Sequence, residues 1–155
     1  MPFTTRFAKE ADVPLILQFI RELAEYEQLL HEVVADVNTL HTSLFVDPKG
    51  PEVLIGEEDG IPVAFVLFFH NFSTFLGRKG IYIEDLYIRP EMRSKGYGEM
   101  LLQAVFGLAK ERNCGRVEWW VLDWNERAIN FYKKIGAVPM SDWTVFRVTE
   151  ERFLL

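Results

Sequence analysis

The chain has 155 residues, of which 49% are hydrophobic and 14% aromatic, a composition typical of a compact globular protein and not of a disordered one. A chain of this length buries roughly 70% of its unfolded surface in one core, so we expect a single domain over residues 1–155. The formal net charge is −6 and the pI is about 5.1, which argues against a nucleic-acid partner.

Cysteine, histidine and hydropathy patterns exclude several further classes. The only cysteine, Cys114, cannot close an intramolecular disulfide, so a cytoplasmic location is expected. The most apolar stretch, 61–69, is too short to cross a bilayer, and no signal-peptide pattern opens the chain, so no membrane association is expected. His31, His41 and His70 lie far apart without zinc spacing, so no metal is expected.

The first half of the chain predicts a strand, two helices and a β-hairpin. The elements are a strand over Thr4–Phe7, a helix with Pro14 in its first turn, a weaker helix from near Asp36, and strands over Glu52–Gly56 and Pro62–His70. The Asp59-Gly60 pair between the two strands is a strong hairpin signal. In the first helix the apolar residues form a core stripe, and the residues expected to face outward are Arg21, Glu22 and Glu25.

The second half alternates strands with helices. It predicts a polar loop over Asn71–Gly80, a strand over Ile81–Ile88, an amphipathic helix through Ala109, a strand over Val117–Leu122, a helix capped near Asn125 and ended by Gly136, and a last strand over Trp143–Val148. Together the elements indicate one α+β sheet domain without internal repeats.

A glycine-containing loop, Arg93-Ser94-Lys95-Gly96-Tyr97-Gly98, joins a strand to a helix. The amides at a helix N-terminus lack intrahelical partners and carry a partial positive charge, so they bind anions. Arg93 and Lys95 add full charges, which suits a pyrophosphate. The spacing matches neither a Walker loop nor a Rossmann fingerprint. From spacing alone, an anion site and a glycine-softened turn are equally compatible with it.

The motif Arg93-x-x-Gly96-x-Gly98 after Glu84-Asp85-Leu86-Tyr87-Ile88 resembles the acetyl-CoA motif of GNAT superfamily N-acetyltransferases. Further blocks resemble the spermidine/spermine (diamine) and thialysine acetyltransferase branch. They are Glu22-Leu23-Ala24-x-Tyr26-Glu27, Tyr82-x-Glu84-Asp85, Trp124-Asn125-Glu126 and Ile129-Asn130-Phe131-Tyr132-Lys133-x-x-Gly136-Ala137. The resemblance implies a GNAT-type α+β domain, with a mixed, mostly antiparallel central sheet and helices on both faces.

The resemblance also implies acetyl-CoA as cosubstrate and a set of residues that contact it. These are Leu86, Tyr87, Ile88, Arg93, Ser94, Lys95, Gly96, Tyr97, Gly98, Glu99, Asn125, Arg127 and Tyr132. The backbone amides of residues 86–88 are expected to pair with the acetyl carbonyl and the pantetheine arm. That contact needs an interrupted ladder, so a splay or bulge is expected in this strand.

Acetyl transfer requires a neutral amine, although an amine like that of lysine, with a pKa of about 10.4, is protonated at neutral pH. Glu84 stands in an otherwise apolar strand, where a carboxylate is costly without a role or partner. The resemblance implies that Glu84 is the general base, directly or through water, and that Tyr132 protonates the departing thiolate. The alternatives are that Glu84 and Asp85 bond to backbone or an arginine, and that Tyr132 packs in the core.

The acceptor implied by the resemblance is a small-molecule amine, namely a diamine, a polyamine or a lysine-like amine. Its expected contacts are Tyr26, Glu27, Glu84, Trp119 and Trp120, and the two tryptophans alternate on one strand, so they should face opposite sides. The branch also implies a homodimer, to which the aromatic segment 143–153 could contribute. An amino-acid or protein amine as acceptor, and a non-catalytic acyl-CoA-binding module, remain alternatives.

Two departures from the family pattern bear on specificity and on the loop. The polyamine enzymes carry an acidic stretch where this chain has Asn71–Gly77 without an acid, which leaves polyamine specificity open. Ser94 replaces the glycine that commonly follows the loop arginine.

Overall fold

The computed structural model describes residues 2–153. These residues form two compact units, one up to Trp120 and the other from Val121 onward. The first unit contains five strands and the helices that cover them, and the second contains one helix of the α type. Within residues 2–153, no helix combines the length and apolar character that crossing a membrane requires.

The first unit is built on one mixed sheet. Its strands are β1 (Phe3–Phe7), β2 (Glu52–Glu58), β3 (Ile61–Ser73), β4 (Arg78–Ile88) and β5 (Val117–Trp119). They lie in the order β1-β2-β3-β4-β5, with antiparallel pairing up to β4 and parallel pairing between β4 and β5. The parallel pair needs a crossover, which helix α3 (Tyr97–Glu111) provides. The expected mixed, mostly antiparallel sheet is confirmed.

The β2–β3 hairpin forms as its turn residues predict. Asp59 and Gly60 have φ angles of 52° and 80°, and Glu58 pairs with Ile61 around them. Two successive positive φ angles are the signature of the type I′ turn that joins twisted strands.

The polar loop predicted over 71–80 is wrong for most of its length. Strand β3 continues to Ser73, which pairs with Arg78 at the start of β4, and only residues 74–77 form the turn. Polar side chains do not prevent a strand from forming a backbone ladder, so polarity alone misplaced the boundary.

Two helices precede the hairpin. Helix α1 (Val13–Tyr26) has Pro14 in its first turn, and the shorter α2 (Val37–His41) is capped by Asp36, whose Oδ1 accepts a 2.8 Å hydrogen bond from the Thr39 amide. Both starts agree with the sequence signals.

Helices α1 and α3 cover the two faces of the sheet. On one face Ile16 and Phe19 pack with Val53, Ile55, Phe65, Leu67 and Tyr87. The alternate strand residues point to the opposite face. They are also buried, as is the apolar stripe of α3: the strand residues are Leu54, Ala64, Val66 and Phe68, and the helix residues are Leu101, Leu102 and Val105. Each buried large side chain contributes about 2 kcal/mol by leaving water. Helices on both faces are therefore confirmed.

The prediction that Glu22 faces outward is wrong. Its carboxylate accepts a hydrogen bond from the Tyr87 hydroxyl at 3.0 Å and is 3.3 Å from the Arg89 guanidinium. Helical periodicity places Glu22 on the polar face of α1. It does not reveal the Tyr87 hydroxyl and the Arg89 guanidinium, which lie more than sixty residues away in the sequence.

The second unit contains α4 (Glu126–Lys134). Asn125 Oδ1 accepts from the Ala128 amide at 3.3 Å, and Gly136 adopts a left-handed φ of 97° directly after the helix. The Ala137 amide then donates to the Tyr132 carbonyl at 3.0 Å, which closes the C-terminus in the usual way. The cap and the stop agree with the sequence.

Two strand predictions near the C-terminus need correction. The strand predicted over Val117–Leu122 ends at Trp119, and the strand predicted over Trp143–Val148 does not form within residues 2–153. A period-2 pattern shows that a segment can pair, but a strand also needs a neighbour to complete its ladder.

Candidate active site

A β-bulge in β4 presents the two consecutive acids. Asp85 pairs with Leu67 and Ile83 pairs with Phe68, so Glu84 is the extra residue without a partner on β3. A bulge bends its strand and redirects its side chains. The interruption expected in this strand is confirmed at Glu84.

On its other edge, β4 pairs with no strand of residues 2–153 beyond the bulge. Pairing with β5 covers only Ile81–Ile83, so the ladder to β5 stops before residues 84–88. An extended ligand can add to such an edge through backbone hydrogen bonds. The amides of Leu86–Ile88 lie on this stretch of β4.

Three carboxylates share one electrostatic environment. Glu27 follows the last residue of α1, and Glu27 and Glu84 both act electrostatically on Asp85. Among residues 2–153 none of the three carboxylates has a hydrogen bond or an ion pair to a protein cation. Like charges held together without a cation are unfavourable, so this cluster matches a positively charged ligand.

Asp85 has the most perturbed carboxyl of the group. Burial, followed by the charges of Glu84 and then Glu27, raises the pKa of Asp85 to about 7. Burial also raises the pKa of Glu27. A carboxyl with a pKa near neutrality can exchange a proton at working pH. Asp85 is not among the residues expected from the sequence, and its available signal is the pair of consecutive acids in an apolar strand.

Aromatic rings stand next to these acids. Tyr82 and Trp120 meet edge to face at 5.9 Å between ring centroids, and Tyr82 contacts Phe69 at 5.4 Å. Burial, then the charges of Glu84 and Glu118, raises the pKa of Tyr82, which keeps its phenol neutral.

The two tryptophans of the β5 region face opposite sides, as predicted. Trp119 packs on Phe106 of α3 at 6.5 Å, whereas Trp120 packs on Tyr82 and is 60% exposed. Trp120 is therefore the tryptophan placed on the side of the acids.

The N-terminus of α3 presents open backbone amides. The first helical hydrogen bond runs from the Met100 amide to the Gly96 carbonyl at 3.1 Å, so the amides of residues 97–99 precede it and lack intrahelical acceptors. Gly96 has a left-handed φ of 82°, and a Cβ built there would meet no atom within 4 Å. This open space beside a helix N-terminus fits a phosphate group.

The two loop cations contact protein groups. Arg93 Nε donates to the Ile88 carbonyl at 3.1 Å, and Lys95 Nζ donates to Glu58 Oε2 at 3.0 Å. Glu58 also accepts a short hydrogen bond from the Tyr97 hydroxyl, and the Tyr97 ring stacks on Phe3. These contacts fix the loop from the end of β2. The sequence contained no signal for the role of Glu58.

The remaining candidate residues lie in the second unit. Asn125 caps α4 and Arg127 lies in its first turn. Tyr132 is seven residues after Asn125, which places both on one side of the helix, and its ring lies 5.6 Å from that of Phe131.

The profile of the acetyltransferase (GNAT) family matches residues 17–137. The chain belongs to this family. The matched range includes the acid-bearing bulge of β4, the loop before α3 and Tyr132. The resemblance drawn from the motifs is therefore confirmed.

Individual relatives of this GNAT acetyltransferase agree with the family assignment, since they too are acetyltransferases. It is 33% identical to the L-ornithine N5-acetyltransferase NATA1 of Arabidopsis thaliana, covering 93% of this chain and 83% of the relative. It is 36% identical to the thialysine N-epsilon-acetyltransferase of Bos taurus, covering 94% and 92%. The crystal structure of an aminoglycoside acetyltransferase from an uncultured soil metagenomic sample superposes with a TM-score of 0.79 at 17% identity over 95% of both chains, which shows the shared fold.

The GNAT acetyltransferase is thus an enzyme, which excludes the non-catalytic module as its role. Its family uses acetyl-CoA as the acetyl donor, and the open amides before α3 fit the diphosphate of that donor.

Proposed function

We propose that this chain transfers the acetyl group of acetyl-CoA to the terminal primary amine of a small molecule, which is a diamine, a polyamine or a lysine-like amine. The observation that carries the proposal is the group of Glu27, Glu84 and Asp85, three carboxylates without a protein cation among residues 2–153. A protonated amine supplies the missing positive charge.

The aromatic rings beside these acids favour the same ligand. Trp120 and Tyr82 lie in mutual contact, and Glu84 acts electrostatically on Tyr82. An ammonium group is attracted both by carboxylates and by the faces of aromatic rings. An acceptor with a second amine or an α-amino group could engage Glu27 while the reacting amine meets the acids of β4.

The names of the relatives favour a lysine-like amine within this class. Their reactions are named for N5 of ornithine and Nε of thialysine, which are amines at the ends of amino-acid side chains. The 71–77 segment carries no acid, so a polyamine would lack the negative surface that the polyamine enzymes place there. A free amino acid is therefore preferred to a polyamine as acceptor.

In the proposed mechanism Glu84, directly or through water, takes a proton from the bound ammonium, and Asp85 is a second proton acceptor at the same bulge. The neutral nitrogen attacks the thioester carbonyl, the C–N bond forms, and the nitrogen gives its second proton to Asp85. As the C–S bond breaks, Tyr132 gives its proton to the departing thiolate and is reprotonated from solvent. The amides of 97–99 hold the diphosphate, and Leu86–Ile88 pair with the extended arm of the donor.

We further propose one functional domain, a cytoplasmic location and a homodimer. The single Cys114 supports a reducing compartment. The segment 143–153 supports the dimer, because Trp143, Phe146 and Phe153 are 71%, 91% and 64% exposed and exposed apolar patches mark interaction sites. Light scattering of the wild-type chain and of Phe146→Ser tests it, since loss of the dimer in the variant is expected and a monomeric wild type would refute it.

The experiment that tests the function is a CoA-release assay with L-ornithine, L-lysine, thialysine, putrescine, spermidine and a lysine-containing peptide. We expect acetylation of a lysine-like amine and a drop of about a hundredfold in kcat/KM for Glu84→Gln. Glu91→Gln, which removes an exposed acid outside the cluster, is the matched control and should keep the wild-type rate. Binding of CoA without turnover of any amine would contradict the proposal.

A further inference from the structure

The side chain of Arg93 points from the loop before α3 toward the end of α1. Its guanidinium carbon lies 4.7 Å from the ring centroid of Tyr26 and 5.9 Å from that of Tyr87. At the same time its Nε donates to the Ile88 carbonyl at 3.1 Å. The planar guanidinium can stack and donate in its plane at once, which an ammonium cannot do.

Tyr26 stands where α1 ends and the chain changes direction. It is the last residue of the helix, Glu27 follows it, and Gln28 adopts a left-handed φ of 63°. Terminal helical turns fray unless tertiary contacts hold them. The stacked Arg93 is such a contact, because it belongs to the loop before α3 and packs on Tyr26, the residue directly before Glu27.

We propose that Arg93 is a positioning residue for the acceptor: by bracing the ring of Tyr26 it holds the end of α1, and with it the Glu27 carboxylate, beside Asp85. The diphosphate of the donor is then bound by the backbone amides of the loop. The inference rests on the proposed function, since it assigns part of the acceptor site of that reaction.

The contacts of Arg93 argue against a direct role on the phosphate. Its Nε is committed to the Ile88 carbonyl and its face to the Tyr26 ring, so protein groups set the position of the guanidinium. The nearby Lys95 is similarly engaged with Glu58. The amides at the start of α3 remain as the anion site, because they need no side-chain rearrangement.

The test compares donor and acceptor binding in Arg93→Gln. Calorimetry with CoA gives the donor Kd, and steady-state kinetics with thialysine and L-ornithine give the acceptor KM and kcat. We expect the acceptor KM to rise about tenfold, with the CoA Kd changed by less than about twofold. Arg21→Gln removes the same charge from an exposed position of α1 and should change neither.

A double-mutant cycle that combines Arg93→Gln with Tyr26→Leu tests whether the effect on the acceptor KM passes through the contact between these two side chains. The acceptor KM of the double variant should be no higher than that of the worse single variant. Arg93→Lys should recover only part of the loss, since it keeps the charge but not the planar stack.

The outcomes separate the two proposals. A tenfold weaker CoA affinity of Arg93→Gln at unchanged acceptor KM, or additive effects in the cycle, would overturn the role of Arg93 and leave the acetyltransferase function in place. A wild-type chain that neither binds CoA nor acetylates an amine would overturn both.

Discussion

The Tyr87 hydroxyl donates a 3.0 Å hydrogen bond to Glu22 Oε1, which ties the strand that carries the paired acids to the helix that ends at Tyr26. Arg89, one residue beyond β4, joins the same carboxylate at 3.3 Å and lies over the Phe19 ring at 4.8 Å. Burial and then the bond to Glu22 raise the pKa of Tyr87 to about 12. Glu22 therefore links α1, which Glu27 follows, to β4, which carries Glu84 and Asp85.

Glu22→Gln should destabilise the fold by about 2 kcal/mol, because it leaves the partly buried Arg89 without its ion pair. The pKa of Tyr87 should fall from about 12 toward that of an ordinary tyrosine while staying above it, since burial remains. Urea unfolding and a near-ultraviolet titration of tyrosine measure the two effects. Glu25→Gln, on the exposed side of α1, is the control, and equal effects from both variants would contradict the role of Glu22.

Asp85→Asn should stabilise the protein at alkaline pH. Since the pKa of Asp85 is raised from 3.8 to about 7, the folded state holds more protons than the unfolded state in this window, and wild-type stability falls as pH rises through it. The neutral amide avoids this cost, so the variant should gain about 2 kcal/mol at pH ~8, allowing for partial exposure, and little at pH ~4.

Urea unfolding at the two pH values measures the effect, with the exposed Asp123→Asn as control. Asp85→Asn should also lose activity, because a group that destabilises the fold is often one that function requires. A stability difference that does not change with pH would refute the origin assigned to the shift.

Tyr132→Phe should lower kcat by about a hundredfold, because the thiolate loses its proton donor. The CoA affinity should stay within about twofold of wild type, since the ring and the cap of α4 are retained. Single-turnover kinetics and calorimetry separate chemistry from binding. An unchanged kcat would remove Tyr132 as the acid.

Ser94→Gly should stabilise the loop. Ser94 has a φ of 66°, a conformation that costs a non-glycine residue about 1 to 2 kcal/mol. Glycine also gives the unfolded chain more conformational freedom, which offsets part of this gain. We therefore expect the free energy of unfolding to rise by about 0.5 kcal/mol. Ser94→Ala keeps the Cβ and removes the hydroxyl, so it should bring no gain, and a gain equal to that of glycine would rule out backbone strain as the cause.

Local signals account for the features that the sequence predicts correctly. The Asp59-Gly60 turn, the Asn125 cap and the loop at Gly96 each depend on φ angles and hydrogen bonds within a few residues, so the residue types are sufficient to predict them. The family blocks added the proposed site residues, because they preserve the order of the family's motifs along the chain.

Long-range contacts decided the rest. The pKa of Asp85 is raised by burial and by the charge of Glu27, which follows another element. Arg93 contacts Tyr26, which lies more than sixty residues earlier in the chain. The segment 143–148 has the alternation of a strand, but pairing depends on a neighbour that its own residues do not specify. Backbone conformation is set over a few bonds, whereas desolvation, stacking and strand pairing depend on which distant groups the fold brings together.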